Sequence, residues 1–265
     1  MKKPSDVLGR TVVAIPLAIL AVVLVAAGGW VFAVGVTAIG CLCLHEFYDL
    51  VESRRPLRLA GFLSIFGAVI AAKLGGPTAL LFATWLSLPV MFVMAAAQPR
   101  LEGATDSILA TGLGIWWIAV GFAHAVLLRD LAHGGGIVLD ALIATFAGDT
   151  GAYFGGRSFG TKPLAPRISP RKTVEGLIAG AAAAIASTLV ASLYQDWLPL
   201  EVALLIGVTV AVLAPMGDLF ESLLKREAGA KDAATTLGPH GGALDRLDGV
   251  LFSIVGVYWL WYLLG

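Results

Sequence analysis

The sequence predicts an all-α, polytopic membrane protein, and three observations predict it. Of 265 residues, 58% are hydrophobic and 14% charged, with a mean hydropathy of +0.87, which excludes an ordinary soluble domain. The apolar residues fall in runs long enough to cross a bilayer, where helices are the backbone solution that satisfies every N–H and C=O internally. One threading of the chain also places sixteen of its 18 basic residues on the same side.

Nine apolar segments follow in order, at about 11–28, 30–51, 59–74, 77–97, 108–128, 137–155, 174–194, 200–217 and 249–264. The start Met1-Lys2-Lys3 resembles a secretory signal, but the run from Thr11 to Ala27 is long for one and more spans follow, so it is read as the first span. Cys41 and Cys43 both lie inside an apolar run and are read as packing residues, not as a disulfide or zinc pair. With the N-terminus in the cytoplasm, basic clusters at residues 2–10, 54–58, 100, 157–172 and 225–246 all face inward, and only Lys73 and Arg129 lie outside. The expectation is therefore about nine spans, N-terminus cytoplasmic and C-terminus outside, with residues 1–265 forming a single transmembrane domain. Its N-terminal part is expected to be scaffold, and its chemistry to reside in 148–248, on cytoplasmic loops and helix ends. Nucleic acid is not an expected partner.

The longest polar interruption runs from Ser222 to Asp248. It sets Lys225, Arg226, Lys231 and Arg246 against Asp232, Asp245 and Asp248, with His240 beside Gly241-Gly242. Cations, carboxylates and a glycine pair suit phosphate groups held through a divalent metal. An ordinary charged loop between two spans is the alternative reading. Just upstream, Asp218, Glu221, Ser222 and Lys225 recur at helical spacing, so a continuing helix would carry them as a polar stripe. Asp245 and Asp248, three apart at the start of the last span, share a face. Two helix ends presenting carboxylates make a hard-metal site, and Gly241-Gly242 lets backbone N–H groups approach an anion.

Asp149 sits near the cytoplasmic end of the sixth span, four residues from Tyr153 and on the same helix face; a carboxylate at that depth suggests function. Gly155 to Gly160 has the spacing of a phosphate-binding loop, but Thr161-Lys162 follows in the wrong order and no strand precedes it. In Ser169-Pro170-Arg171-Lys172-Thr173-Val174-Glu175-Gly176, Ser169 is expected to cap the seventh helix with Pro170 in its first turn, which makes an anion site beside Lys172. His45, Glu46, Asp49 and Glu52, at the end of the second span, could line the site or mark the interface, and the second reading is preferred. His124 is read as packing, Asp140 and His133 as solvated, and Trp116, Trp117, Trp259 and Trp261 as interface belts.

The pattern Ser222-x-Leu224-Lys225-Arg226, Lys231-Asp232 and His240-Gly241-Gly242-x-x-Asp245-Arg246-Leu247-Asp248 closely resembles the signature of phosphatidate cytidylyltransferases. Asp149 to Arg157 and Ser169 to Gly176 look like the other hallmarks of that family. The chain departs from the pattern at Gly238-Pro239, which reverses the usual order, at Ala243, and over Ala233 to Thr236; every charged position is intact.

The resemblance implies transfer of the cytidylyl group of CTP to phosphatidic acid, giving CDP-diacylglycerol and pyrophosphate at a bacterial inner membrane, with the site facing the cytoplasm. It implies Mg²⁺, leaves room for a second cation such as K⁺, and leaves a homodimer open. On this reading Asp218 and Asp245 are the metal ligands, with Asp248 and Asp149 as further candidates. The catalytic set is Asp218, Lys225, Arg226, Lys231, Asp232, Asp245 and Asp248; Ser169, Lys172, Thr173, Ser222, His240, Gly241, Gly242 and Arg246 are expected to bind nucleotide or phosphate. The alternatives are a CTP-dependent polyprenol or phytol kinase and, from a different class, a small-anion transporter. The transporter would need discontinuous helices at mid-membrane, whereas the ionisable residues here cluster at one face.

Overall fold

The computed structural model describes residues 4–230, 233–234 and 241–264, with side chains from residue 16 onward. Lys231, Asp232 and His240 lie outside the described residues. The helices are α1 (Pro4–Ala27), α2 (Gly29–Leu50), α3 (Arg58–Ala96), α4 (Ala104–Gly114), α5 (Val120–Asp130), α6 (Gly134–Phe159), α7 (Val174–Ala191), α8 (Leu200–Glu227) and α9 (Leu244–Leu264). A π-helical turn, Ile115–Ala119, joins α4 to α5 in one rod. Among the described residues seven helices, counting that rod as one, are long and apolar enough to cross a membrane, and Pro16–Ala27 is a shorter apolar stretch. Large apolar side chains such as Phe82, Trp85 and Phe92 are more than 60% exposed, as they would be against lipid tails. The protein is an all-α polytopic membrane protein.

Two expected spans share α3. Its 39 residues would measure about 58 Å as one rod, twice a hydrocarbon core, but the backbone breaks at Gly76, where φ is 67°. Pro77 follows directly, so the break falls where the chain loses an N–H and needs a residue tolerant of positive φ.

The chain divides into two compact units, residues 1–130 with 232–246, and residues 131–231 with 247–265. In the first, Leu44, Phe47 and Tyr48 of α2 are fully buried with Ile65 of α3, and with Ile115 and Ile118 of the π turn. The Tyr48 hydroxyl donates to the Thr111 carbonyl (3.3 Å), and the Thr111 hydroxyl accepts from the Leu57 N–H (2.7 Å), so polar groups here meet inside the unit. At one end of the unit Arg129 donates to the Val25 carbonyl (2.7 Å) and Lys73 pairs with Asp130 (2.7 Å). The two basic residues that the charge pattern sets apart are thus gathered at the ends of α1 and α5 and beside the α3 break. Elsewhere in the same unit Arg58 pairs with Asp49 (2.6 Å) and meets His45 (3.2 Å), as an interfacial cluster would.

The second unit is built on a seam of small residues. A Cβ at Gly151 would lie 2.7 Å from the Ala183 methyl, one at Gly180 would lie 2.7 Å from the Gly148 carbonyl oxygen, and one at Gly176 would lie 2.8 Å from the Ala152 carbonyl oxygen. Helices α6 and α7 therefore pack backbone to backbone, the close approach that small residues permit between membrane helices. Between them the chain forms a short antiparallel hairpin, β1 (Pro163–Ala165) and β2 (Ser169–Thr173), which the helical expectation did not include. At the unit's other end His133 stacks on Trp197 (4.4 Å between rings) and Trp261 donates to the Ala132 carbonyl (3.0 Å). Asp140, expected to be solvated, is 4% exposed and accepts from the Gln195 amide (3.1 Å), because a facing loop after α7 covers it.

Candidate active site

The polar stripe on α8 follows from that helix running ten residues past its apolar part, to Glu227. Glu221 is 1% exposed, and Lys225, one turn on, donates to it at 2.6 Å. Helix α9 starts five residues earlier than its apolar run, which brings Asp248 into the second turn. The two helices come closest where Gly217 and Gly249 meet: a Cβ on Gly217 would overlap the Asp248 carbonyl, and one on Gly249 would lie 3.1 Å from that of Ala214. Asp218 and Asp248 flank this contact, so the glycines bring the helix backbones together and the carboxylates with them. Asp248 is buried, bonded to Glu221 and within electrostatic reach of Asp218, and its Oδ1 accepts from the Gly249 N–H (2.7 Å).

Lys172 reaches this cluster from β2 and pairs with Asp218. Three carboxyl groups thus face two ammonium groups, and the Asp248–Glu221 hydrogen bond requires a proton shared between two carboxyls, whose place a hard cation would take. Among the described residues no three His, Cys, Asp or Glu side chains converge in a metal-binding arrangement.

A cavity of about 450 Å³ opens beside the cluster, lined by α6, the hairpin, α7 and α8. One part of its wall carries Asp149, Arg157, Arg171, Lys172, Thr173 and Asp218; another is apolar and small-residued, with Ala144, Ala184, Val210, Ala211 and Ala214. Such a wall accommodates an amphiphile with an anionic head and a hydrocarbon tail.

The start of α7 differs from expectation. Ser169, Pro170 and Lys172 lie in β2, and the cap is Thr173, whose hydroxyl accepts from the Gly176 N–H at 3.1 Å. Strand pairing with β1 holds Ser169 extended, so the helix cannot begin until the hairpin ends. Glu175, in the first turn, accepts from the Thr161 hydroxyl and N–H and from the Lys162 N–H (3.2 Å), which ties the hairpin's entry to the helix it feeds. Arg226, expected on phosphate, donates to the carbonyls of Ile168 (3.2 Å) and Ala230 (3.5 Å) and so clasps the hairpin turn. Ser222 lies on α8, half-buried.

Gly241, Gly242, Asp245 and Arg246 belong to the first unit. There the Asp245 carboxylate accepts from the N–H groups of Gly242 (2.7 Å) and Ala233 (3.1 Å). Glu46 of α2, 1% exposed, accepts from those of Ala243 (2.9 Å) and Leu244 (2.8 Å). Carboxylates of the protein, not a phosphate, occupy these donors. Gly241 has a φ of 81°, and a Cβ there would meet Asp245 at 2.7 Å, so backbone geometry explains that glycine.

Sequence reasoning passed over Arg171 as a lining residue and placed Glu46 among interfacial groups. Arg171 was legible as part of the basic cluster, whereas Glu46 carried no local signal.

Comparison with known proteins gives one consistent answer. A model of the cytidylyltransferase family matches residues 8–264. The chain is 33% identical to a phosphatidate cytidylyltransferase of Brucella suis, over 96% of this chain and 93% of that one. It is 30% identical to the Mycobacterium bovis phosphatidate cytidylyltransferase over 92% and 84%, and 28% identical to the chloroplastic phosphatidate cytidylyltransferase 4 of Arabidopsis thaliana over 95% and 72%. With its motifs, its helical membrane fold and nearly its whole length accounted for, the chain belongs to the cytidylyltransferase family.

Proposed function

We propose that the protein is a phosphatidate cytidylyltransferase, which joins CTP and phosphatidic acid to give CDP-diacylglycerol and pyrophosphate. The observation that carries this reading is the cavity wall, charged in one part and apolar in another, beside the Asp218–Glu221–Asp248 cluster. A phosphate oxygen of the lipid attacks the α-phosphorus of CTP, and the bond to the β,γ-diphosphate breaks. The lipid phosphate is already an anion, so no enzyme nucleophile is needed, and the protein contributes positioning and charge neutralisation. Lys172, Arg157 and Arg171 supply positive charge to the phosphates, and the alanine-lined wall takes part of an acyl chain. Asp218 and Asp248 would hold Mg²⁺, with Asp149 as a further candidate and K⁺ as a second cation; bound there, the metal would supply charge neutralisation at phosphate oxygens. Lys225 acts through Glu221 and Arg226 through the hairpin, while Lys231 and His240 bind phosphate and Asp232 joins the catalytic set. Nine spans with the N-terminus inside and the C-terminus outside, in a bacterial inner membrane, put residues 148–248 where soluble CTP and membrane lipid meet.

The test is incubation of the purified protein with phosphatidic acid, Mg²⁺ and α-³²P-labelled CTP, beside Asp218→Ala. Label entering the lipid fraction with the intact protein alone is expected. Turnover of CTP to CDP without labelled lipid would replace this reading with a lipid kinase.

A further inference from the structure

Glu46 stands outside every motif, yet its carboxylate is among the most buried charged groups described, at 1% exposure. A buried carboxylate costs several kcal/mol unless it is hydrogen-bonded or paired. Its two oxygens each accept one backbone N–H, from Ala243 and Leu244, residues 197 and 198 positions away in the chain. Those donors open α9, where the first N–H groups have no partner within the helix and the helix dipole favours negative charge. The contact leaves no room at Gly242, where a Cβ would lie 2.5 Å from one Glu46 oxygen. Because Gly242 has no positive φ, this approach, and not its own backbone conformation, is what excludes a side chain.

Residue 245 follows one position after the clamped Leu244, and its carboxylate in turn holds the N–H groups of Ala233 and Gly242. We propose that Glu46 is a positioning residue for cytidylyl transfer: its bidentate clamp fixes where α9 begins, and hence the directions in which Asp245 and, one turn on, Asp248 leave that helix. This role rests on the cytidylyltransferase reading for its chemistry, while the clamp itself does not. The glycine at 242, on this view, exists to admit a carboxylate from a distant helix.

The test is a double-mutant cycle on the full-length protein in lipid nanodiscs, with Gly242→Ala made alone and in a Glu46→Ala background. Alone, Gly242→Ala is expected to lower the apparent unfolding temperature; with Glu46 truncated, the added methyl has space and its effect should largely vanish. Equal effects in both backgrounds would overturn the clamp. Glu46→Gln, nearly isosteric, turns one acceptor into an amide donor facing an N–H. It is expected to keep the unfolding temperature within a few degrees and the KM for phosphatidate unchanged, while kcat falls by about tenfold or more. An unchanged kcat per folded protein would sink the positioning role and leave only a structural one. If the unsubstituted protein made no CDP-lipid, the cytidylyltransferase reading would fall, and the unfolding cycle would still decide the clamp.

Discussion

Helices α7 and α9 solve the same problem in opposite ways. Each begins at the end of a polar segment and must satisfy N–H groups that its own turns leave free. Helix α7 does so with neighbours in sequence: Thr173 caps Gly176, and Glu175 reaches back to Thr161 and Lys162. Helix α9 takes its cap from Glu46, on α2, nearly two hundred residues away. The first is a local cap that a segment carries with it wherever it folds. The second exists only when tertiary structure has formed, so the start of α9 reports on the assembly of the first unit.

That contrast can be broken from either side. Glu46→Ala should have the largest effect, because it leaves two buried donors of α9 without partners, a loss on the order of 3 kcal/mol, read as a fall in apparent unfolding temperature. Gly176→Ala comes next. Its methyl would press on the Ala152 carbonyl at the α6–α7 seam, at a cost of about 1–3 kcal/mol by the same measurement. Thr173→Ala removes an ordinary side-chain cap and should cost about 1 kcal/mol, with Thr173→Ser restoring most of it. Glu175→Gln should be the mildest, since this carboxylate is solvent-accessible and water can take its place. Its effect should appear as faster proteolysis in 160–173 with little change in global unfolding.

The same contrast explains what the sequence made legible. Apolar length and the placement of lysine and arginine were enough for an all-α membrane protein, since both express the bilayer's demands on any chain. The stripe of Asp218, Glu221 and Lys225 was legible because helical periodicity puts them on one face, and α8 does continue through them. Ser169-Pro170 misled, because a good capping pair was read without the strand that pairs with β1 and delays the helix. The break at Gly76 falls where the sequence divides 59–74 from 77–97, so α3 carries the two expected spans one on each side of it. Glu46 was visible as a residue but not as a cap, since nothing within a few positions of it indicates what its oxygens will meet.

The α6–α7 seam has a consequence for how this chain can vary. Most packed interfaces can drift in both directions, trading a larger side chain on one helix for a smaller one on the other. At Gly148, Gly151, Gly176 and Gly180 nothing is left to remove, and the facing atoms are mostly carbonyl oxygens or methyl groups. Every substitution there adds volume, and where the nearest facing atom is a backbone carbonyl oxygen, as at Gly176 and Gly180, no exchange of side chain on the opposite helix can give that volume back. A saturation scan should find Gly151, Gly176 and Gly180 the least tolerant, Gly148, whose added Cβ would come no closer than 3.5 Å to a neighbour, more tolerant of alanine, and lipid-facing positions such as Phe82 and Phe92 open to almost any apolar residue.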